Sequence, residues 1–123
     1  KGSHGSTYGG NPLAMSVGIE VLKIISNRNF LKRVDKISRY FWKKLKELEL
    51  KFDNIYEVRG AGLLLGIKTY SDNIEFSEKL KRQKLLNVPA ADNTIRLAPP
   101  LIVSYKEIDK SISIINNVLK EIK

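Results

Sequence analysis

The C-terminal segment carries the strongest folding signal in the sequence. Ser104 and Glu107 have the spacing of a capping box, in which each side chain bonds the free backbone N–H group of the other residue. Behind this start, aliphatic residues recur at steps of four and three: Ile108, Ile112, Ile115, Leu119 and Ile122. Such a stripe is typical of an amphipathic helix. Because that helix must bury one face, the rest of the chain has to supply a layer against which it packs.

Two earlier segments also show helical spacing. Asn11 followed by Pro12 predicts a helix start, so we expect a helix over residues 13–25. We interpret residues 26–29 as a break. A longer helix is predicted over residues 30–50, with an apolar stripe formed by Leu31, Val34, Ser38, Phe41, Leu45 and Leu48.

The middle of the chain predicts short strands. The expected elements are strands at 55–58, 63–67, 85–88 and 94–97 and a helix at 74–84 with a cap among Ser71–Asn73. Arg59–Gly62 and Pro89–Asn93 are interpreted as the connections within the two strand pairs. Helices that bracket short strands with hairpin-like spacing predict an α+β fold of two layers.

Composition excludes several classes of site. The chain has no cysteine, so disulfides and thiolate zinc sites are excluded, and its single histidine, His4, argues against a catalytic zinc site that needs several imidazoles. No apolar run approaches the roughly 18 residues of a membrane-spanning helix. We predict no metal and no membrane partner.

The net charge of +9 allows a nucleic-acid partner. Nine cations lie in residues 28–51, against Asp35, Glu47 and Glu49. Lysines at helical spacing usually form a solvated outer face, and this segment lacks a recognised nucleic-acid-binding motif. We therefore predict no nucleic-acid partner, and keep a basic nucleic-acid-binding module as the less favoured alternative.

The first twelve residues, KGSHGSTYGGNP, are interpreted as a loop, and residues 2–12 within it form a candidate anion site. Glycines let backbone N–H groups approach a ligand closely, and Ser6 and Thr7 add hydroxyl donors. No Lys-Ser/Thr pair follows the glycines and no strand precedes them, so the segment is neither a Walker loop nor a dinucleotide fingerprint. From these residues alone, a phosphate-binding loop and a tight turn both remain open.

Four sequence blocks carry a resemblance to a known family. They are residues 4–14 (HGSTYGGNPLA), 58–66 (VRGAGLLLG), 85–90 (LLNVPA) and 95–102 (IRLAPPLI). Together they resemble class III, fold-type-I aminotransferases, which use pyridoxal 5'-phosphate, and within that family the acetylornithine type. The resemblance spans essentially all of the chain. It implies a small C-terminal domain with a short, mostly antiparallel sheet and helices on one side.

The resemblance also implies a division of the chain. Residues 1–12 would be an active-site loop of the large domain, residues 13–28 a linking helix and residues 29–123 the small domain. In the family the Schiff-base lysine lies upstream of this loop, and Lys1 does not match its sequence context. We therefore expect the C-terminal portion of a longer enzyme, with no catalytic residue in this chain and no activity on its own.

Individual roles follow from the same resemblance. Thr7 would bind the cofactor phosphate, and Ser6 would line the substrate pocket, both in the neighbouring subunit of a homodimer. Arg96 would meet a substrate carboxylate or pair with a glutamate of the large domain. We interpret Arg59 as a structural residue that anchors the backbone and positions the sheet, and Tyr8 as a dimer-interface residue.

The implied reaction moves the δ-amino group of N-acetylornithine to 2-oxoglutarate, within arginine biosynthesis in the cytoplasm. Ornithine, succinylornithine and 4-aminobutyrate aminotransferases share the four blocks and remain alternatives. Residues 85–90 favour the acetylornithine type.

Overall fold

Within residues 5–122, which the computed structural model describes, the chain forms four helices and a four-stranded sheet. Predictions that concern Lys1 and His4 lie outside the described residues. In chain order the elements are α1 (Pro12–Ile25), α2 (Arg28–Lys51), β1 (Ile55–Ala61), β2 (Leu64–Thr69), α3 (Asn73–Arg82), β3 (Val88–Ala90), β4 (Thr94–Leu97) and α4 (Tyr105–Glu121). The chain divides into two compact units, one ending at Arg33 and the other starting at Val34. The assignment of residues 1–12, 13–28 and 29–123 to loop, linking helix and small domain stays a prediction.

Helix α1 begins where the sequence predicts. The Asn11 side chain accepts a hydrogen bond from the Ala14 N–H at 2.9 Å, and Pro12 occupies the first turn, where its missing N–H is not needed. Helix α1 is largely apolar, but none of its residues is buried. Leu13 and Ile24, for example, are 76% and 58% exposed. Helix α1 therefore exposes most of its apolar side chains.

Helix α2 starts two residues earlier than predicted. The Asn27 side chain accepts hydrogen bonds from the N–H groups of Asn29 and Phe30 at 2.9 and 3.2 Å, so only Ser26 and Asn27 separate α1 from α2. The predicted apolar stripe of α2 is buried from Ser38 onward, but Leu31 is half exposed.

The sheet is antiparallel throughout, with the strand order β1-β2-β4-β3. Residues that alternate along the two central strands are buried: Leu65 and Ile67 on β2, and Ile95 and Leu97 on β4. They join one core with side chains from three helices: Ile37, Phe41, Leu45 and Leu48 of α2, Phe76 and Leu80 of α3, and Ile108, Ile115, Val118 and Leu119 of α4. Each fully buried side chain of this kind stabilises the fold by about 1.5–3 kcal/mol. The predicted α+β class is confirmed.

The capping box of α4 is confirmed. The Ser104 hydroxyl accepts from the Glu107 N–H at 3.3 Å, and the Glu107 carboxylate accepts from the Ser104 N–H at 2.8 Å. Bonds from the hydroxyl and the N–H group of Ser104 lower the pKa of Glu107. The stripe behind the box is buried at Ile108, Ile115 and Leu119.

The predicted strand at 85–88 is wrong. The strand forms instead at Val88–Ala90, and Leu86 is 87% exposed. The turn predicted at residues 89–93 begins with Pro89, a residue that cannot donate a hydrogen bond to a strand ladder. Strand β3 lies at the edge of the sheet, however, where a proline is tolerated.

The predicted connection Arg59–Gly62 is also wrong in part, because β1 continues to Ala61. Gly60 makes this possible. Its φ is +135°, and it pairs with Leu65 so closely that an added Cβ atom would lie 2.2 Å from the Leu64 carbonyl oxygen.

We predict that Gly60→Ala lowers the free energy of unfolding by at least about 2 kcal/mol, because both the backbone angle and the contact oppose a side chain. Gly62→Ala is the matched control. Gly62 has a φ of +56° with nothing within 4 Å of the added Cβ, so we expect a cost of about 1 kcal/mol. Urea unfolding of both variants measures the difference, and equal costs would contradict the close approach at Gly60.

Candidate functional site

The loop before α1 presents two exposed hydroxyl groups. Ser6 and Thr7 are exposed, and neither hydroxyl has a hydrogen-bond partner among residues 5–122. The following turn is closed by the Tyr8 carbonyl, which accepts from the Asn11 N–H at 3.3 Å and from its side-chain amide at 2.8 Å. A Cβ atom at Gly9 would lie 3.1 Å from the Ser6 Cβ and 3.3 Å from its hydroxyl oxygen, so glycine leaves room for the Ser6 side chain.

The N-terminus of α1 offers few donors of its own. Pro12 has no N–H group, and the Ala14 N–H is bonded to the Asn11 side chain. An anion at this loop would therefore depend on the two hydroxyl groups more than on helix N–H groups. Two short hydroxyl donors beside a glycine turn suit a phosphate group.

In the second unit, Arg96 lies on the face of the sheet opposite to the helices. Its strand neighbours Ile95 and Leu97 are buried, whereas Arg96 is exposed. Within the described part of the chain it has no ion-pair or hydrogen-bond partner for its guanidinium group. Gly66 of β2 is its partner in the register, and the two residues line an open pocket of about 530 Å³.

The same face carries an ion network. The Arg59 guanidinium contacts the carboxylates of Glu57 at 3.1 Å and Asp92 at 3.0 Å, and donates to the Thr94 hydroxyl at 2.9 Å. The Lys68 ammonium contacts Asp92 at 2.8 Å. Within residues 5–122, the Arg59 guanidinium bonds side chains and no backbone atom, so the predicted backbone anchor is corrected to a side-chain link across the sheet.

The β3–β4 turn holds the acidic centre of this network. Asp92 and Asn93 have φ values of +60° and +50°, a left-handed conformation that these two residue types tolerate. The Asn93 amide donates to the carbonyls of Thr69 at 2.8 Å and Ser71 at 2.6 Å, which ties the turn to the end of β2. The sequence predicts this turn only as a connection between two strands. The Asp-Asn pair within it is the signal that could have indicated the left-handed turn.

The cations around Asp92 change its acidity. The hydrogen bond from Lys68, followed by the bond from Arg59, holds the pKa of Asp92 below its usual value of 3.8, against the opposing effect of partial burial. Asp92 therefore stays ionised at neutral pH and, together with Glu57, offsets the charges of Arg59 and Lys68.

The predicted site residues belong to different units of the chain. Ser6, Thr7 and Tyr8 stand in the first unit, where Tyr8 is 80% exposed, and Arg96 stands in the second. Among the described residues no group of three His, Asp or Glu side chains is placed to hold a metal ion. In the same part of the chain, no helix has the length and apolar content needed to cross a bilayer.

Comparison with known proteins gives consistent matches. The family described as "Aminotransferase class-III" matches residues 1–119. Acetylornithine aminotransferase of Clostridium acetobutylicum is 42% identical over 97% of this chain and 31% of its own length. Ornithine aminotransferase of Geobacillus sp. is 40% identical over 95% of this chain and 29% of its own length.

A solved structure agrees with these matches. The crystal structure of acetylornithine aminotransferase from Elizabethkingia anophelis superposes with a TM-score of 0.84 at 34% identity, covering 98% of this chain and 33% of that one. The chain thus spans about a third of the length of the relatives it matches.

We predict that Asp92→Asn makes stability less dependent on pH in acid. A carboxylate whose pKa is lowered by folding contributes stability above pH 3.8, and that contribution is lost as the pH falls through the folded-state pKa. The difference in unfolding free energy between the wild type and Asp92→Asn should therefore shrink from pH 6 to pH 3. Urea unfolding at several pH values measures it, with Asp35→Asn, from an exposed helical ion pair, as the control. A constant difference across this range would contradict the prediction.

Proposed function

The chain belongs to the class-III aminotransferases, and from this premise we propose that it is the C-terminal part of an enzyme that moves the δ-amino group of N-acetylornithine to 2-oxoglutarate. The proposal includes a cytoplasmic homodimer and a place in arginine biosynthesis. The proposal is supported by several relatives named acetylornithine aminotransferase, which are about 40% identical to this chain. Ornithine aminotransferases match at similar identity, so ornithine is the alternative amino donor.

The family depends on pyridoxal 5'-phosphate, and the loop before α1 fits one end of that cofactor. Its phosphate needs hydrogen-bond donors, and the hydroxyls of Ser6 and Thr7, which have no bonding partner within residues 5–122, supply them. When bound, the cofactor supplies the electron sink for amino-group transfer. We assign the Thr7 hydroxyl to the phosphate and the Ser6 hydroxyl to the wall of the substrate pocket. Both would act in the site of the neighbouring subunit.

Arg96 is the residue that we assign to the substrate. The observation that carries this assignment is the contrast on the open sheet face: Arg59 and Lys68 are paired, whereas Arg96 has no partner within residues 5–122. Both proposed substrates carry carboxylates, and a guanidinium group can bind a carboxylate through two parallel hydrogen bonds. A glutamate of the large domain is the alternative partner.

We propose that the remaining catalytic groups, including the Schiff-base lysine, belong to a part of the enzyme outside this chain. The chain spans about a third of its relatives, and α1 exposes apolar side chains, among them Leu13, Leu22 and Ile24, that a larger protein would cover. The 123 residues alone would then have no transaminase activity.

We predict that Thr7→Val in the full-length enzyme weakens cofactor binding by roughly 10- to 100-fold. Valine keeps the shape of threonine but removes the donor, and a hydrogen bond to a charged group is worth about 1.5–3 kcal/mol. Titration of the apoenzyme with pyridoxal phosphate, followed by absorbance, measures the affinity. Ser16→Ala is the control, because its hydroxyl bonds the Pro12 carbonyl on α1. An unchanged affinity in Thr7→Val would remove Thr7 from the phosphate site.

We also predict that two inactive variants complement each other. One carries Thr7→Asp, which places a negative charge beside the phosphate, and the other lacks the cofactor-binding lysine of the large domain. If Thr7 acts across the dimer, a mixed dimer contains one intact site, and random mixing should restore about a quarter of wild-type activity. Transaminase assays after refolding an equal mixture test this, with each variant refolded alone as the control. Activity no higher than that of the parents would show that Thr7 acts within its own subunit.

A further inference from the structure

Arg59, Gly66 and Arg96 occupy one row across three strands. The register pairs Arg59 of β1 with Gly66 of β2, and Gly66 with Arg96 of β4. Two steps of about 4.8 Å place the arginine backbones roughly 10 Å apart on the same open face. The two guanidinium groups are therefore close enough to compete for the same anion, unless one of them is held by other side chains.

Gly66 provides the path by which Arg59 crosses the sheet. A Cβ atom at Gly66 would lie 2.9 Å from the Thr94 Cγ2 and 3.7 Å from the Arg59 Cγ. Because glycine has no side chain, the Arg59 stem passes over β2 and its guanidinium reaches β4 and the preceding turn. There it bonds Thr94 and Asp92, at 2.9 and 3.0 Å.

Among the described residues, the network leaves the charge of Arg96 unbalanced on this face. Two carboxylates, Glu57 and Asp92, offset the two cations Arg59 and Lys68. Arg96 stands two residues after Thr94 on the same side of β4, and no described partner holds its guanidinium. The position of Arg96 is consequently set by strand β4, which Arg59 holds through the Thr94 hydroxyl.

We propose that Arg59 is a positioning residue for Arg96. By binding Thr94 and Asp92 across Gly66, it fixes β4 and the turn before it, and its own charge is kept away from the incoming carboxylate. The inference rests on the proposed function, in which Arg96 binds that carboxylate. Exposed ion pairs contribute little to stability, but a small displacement of a binding group can cost a large part of the binding of a substrate.

Steady-state kinetics of the full-length holoenzyme test this inference. Arg96→Met should raise the KM for a carboxylate substrate by roughly tenfold or more. Arg59→Met should raise the same KM by roughly three- to tenfold, with the cofactor affinity unchanged. Arg59→Lys should recover only part of the loss, because lysine keeps the positive charge but cannot form the paired hydrogen bonds of a guanidinium group. In the Arg96→Met background, Arg59→Met should add less than about twofold, since a residue that acts through Arg96 has no effect without it.

Two further variants provide an independent test of the contact and a control. Thr94→Val preserves shape and removes the hydroxyl that Arg59 binds, so it should raise the KM even if Arg59→Met folds poorly. Arg39→Met removes an arginine from an exposed ion pair on α2 and should leave the KM unchanged. If Arg96→Met has no effect, the proposed role of Arg96 fails and the inference fails with it. If Arg96→Met raises the KM but Arg59→Met and Thr94→Val do not, or act independently of Arg96, the inference alone is overturned.

Discussion

The burial of one face of the sheet is the constraint on which the second unit depends. Side chains at alternate positions of the central strands, such as Ile67 and Ile95, are wholly buried with the helix side chains, and their pairing fixes the register between β2 and β4. A slip of one residue would turn Arg96 into the core and expose Ile95 to water. The position of the open-face groups is thus a consequence of how the opposite face packs.

Helices were easier to predict from the sequence than strands. The caps at Asn11, Asp72 and Ser104 depend on a few neighbouring residues, and each forms as expected. The predicted limits of strand β3 are wrong because they depend on the register of its pairing with β4 and on its place at the sheet edge. Gly60 is predicted as part of a connection because an unusual backbone angle inside a strand has no signal in sequence spacing.

The candidate site was predictable only for residues that belong to short sequence motifs. The hydroxyl pair and Arg96 were found through sequence blocks shared with a family, and their roles stay predictions. The network around Asp92 was not found, because it joins residues from β1, β2, β4 and the β3–β4 turn that only the register brings together. Spacing along a chain does not report such contacts across a sheet.

The edge of the sheet at β3 has a consequence for behaviour in solution. An unpaired strand edge is a template for pairing with other chains, and this is a common route to aggregation. Here the edge strand has only three residues, and Pro89 removes one amide donor from it. The Ala90 carbonyl is already bonded to the Asn73 side chain at 2.8 Å, which leaves an incoming strand little to pair with. This border of the molecule therefore resists intermolecular sheet extension.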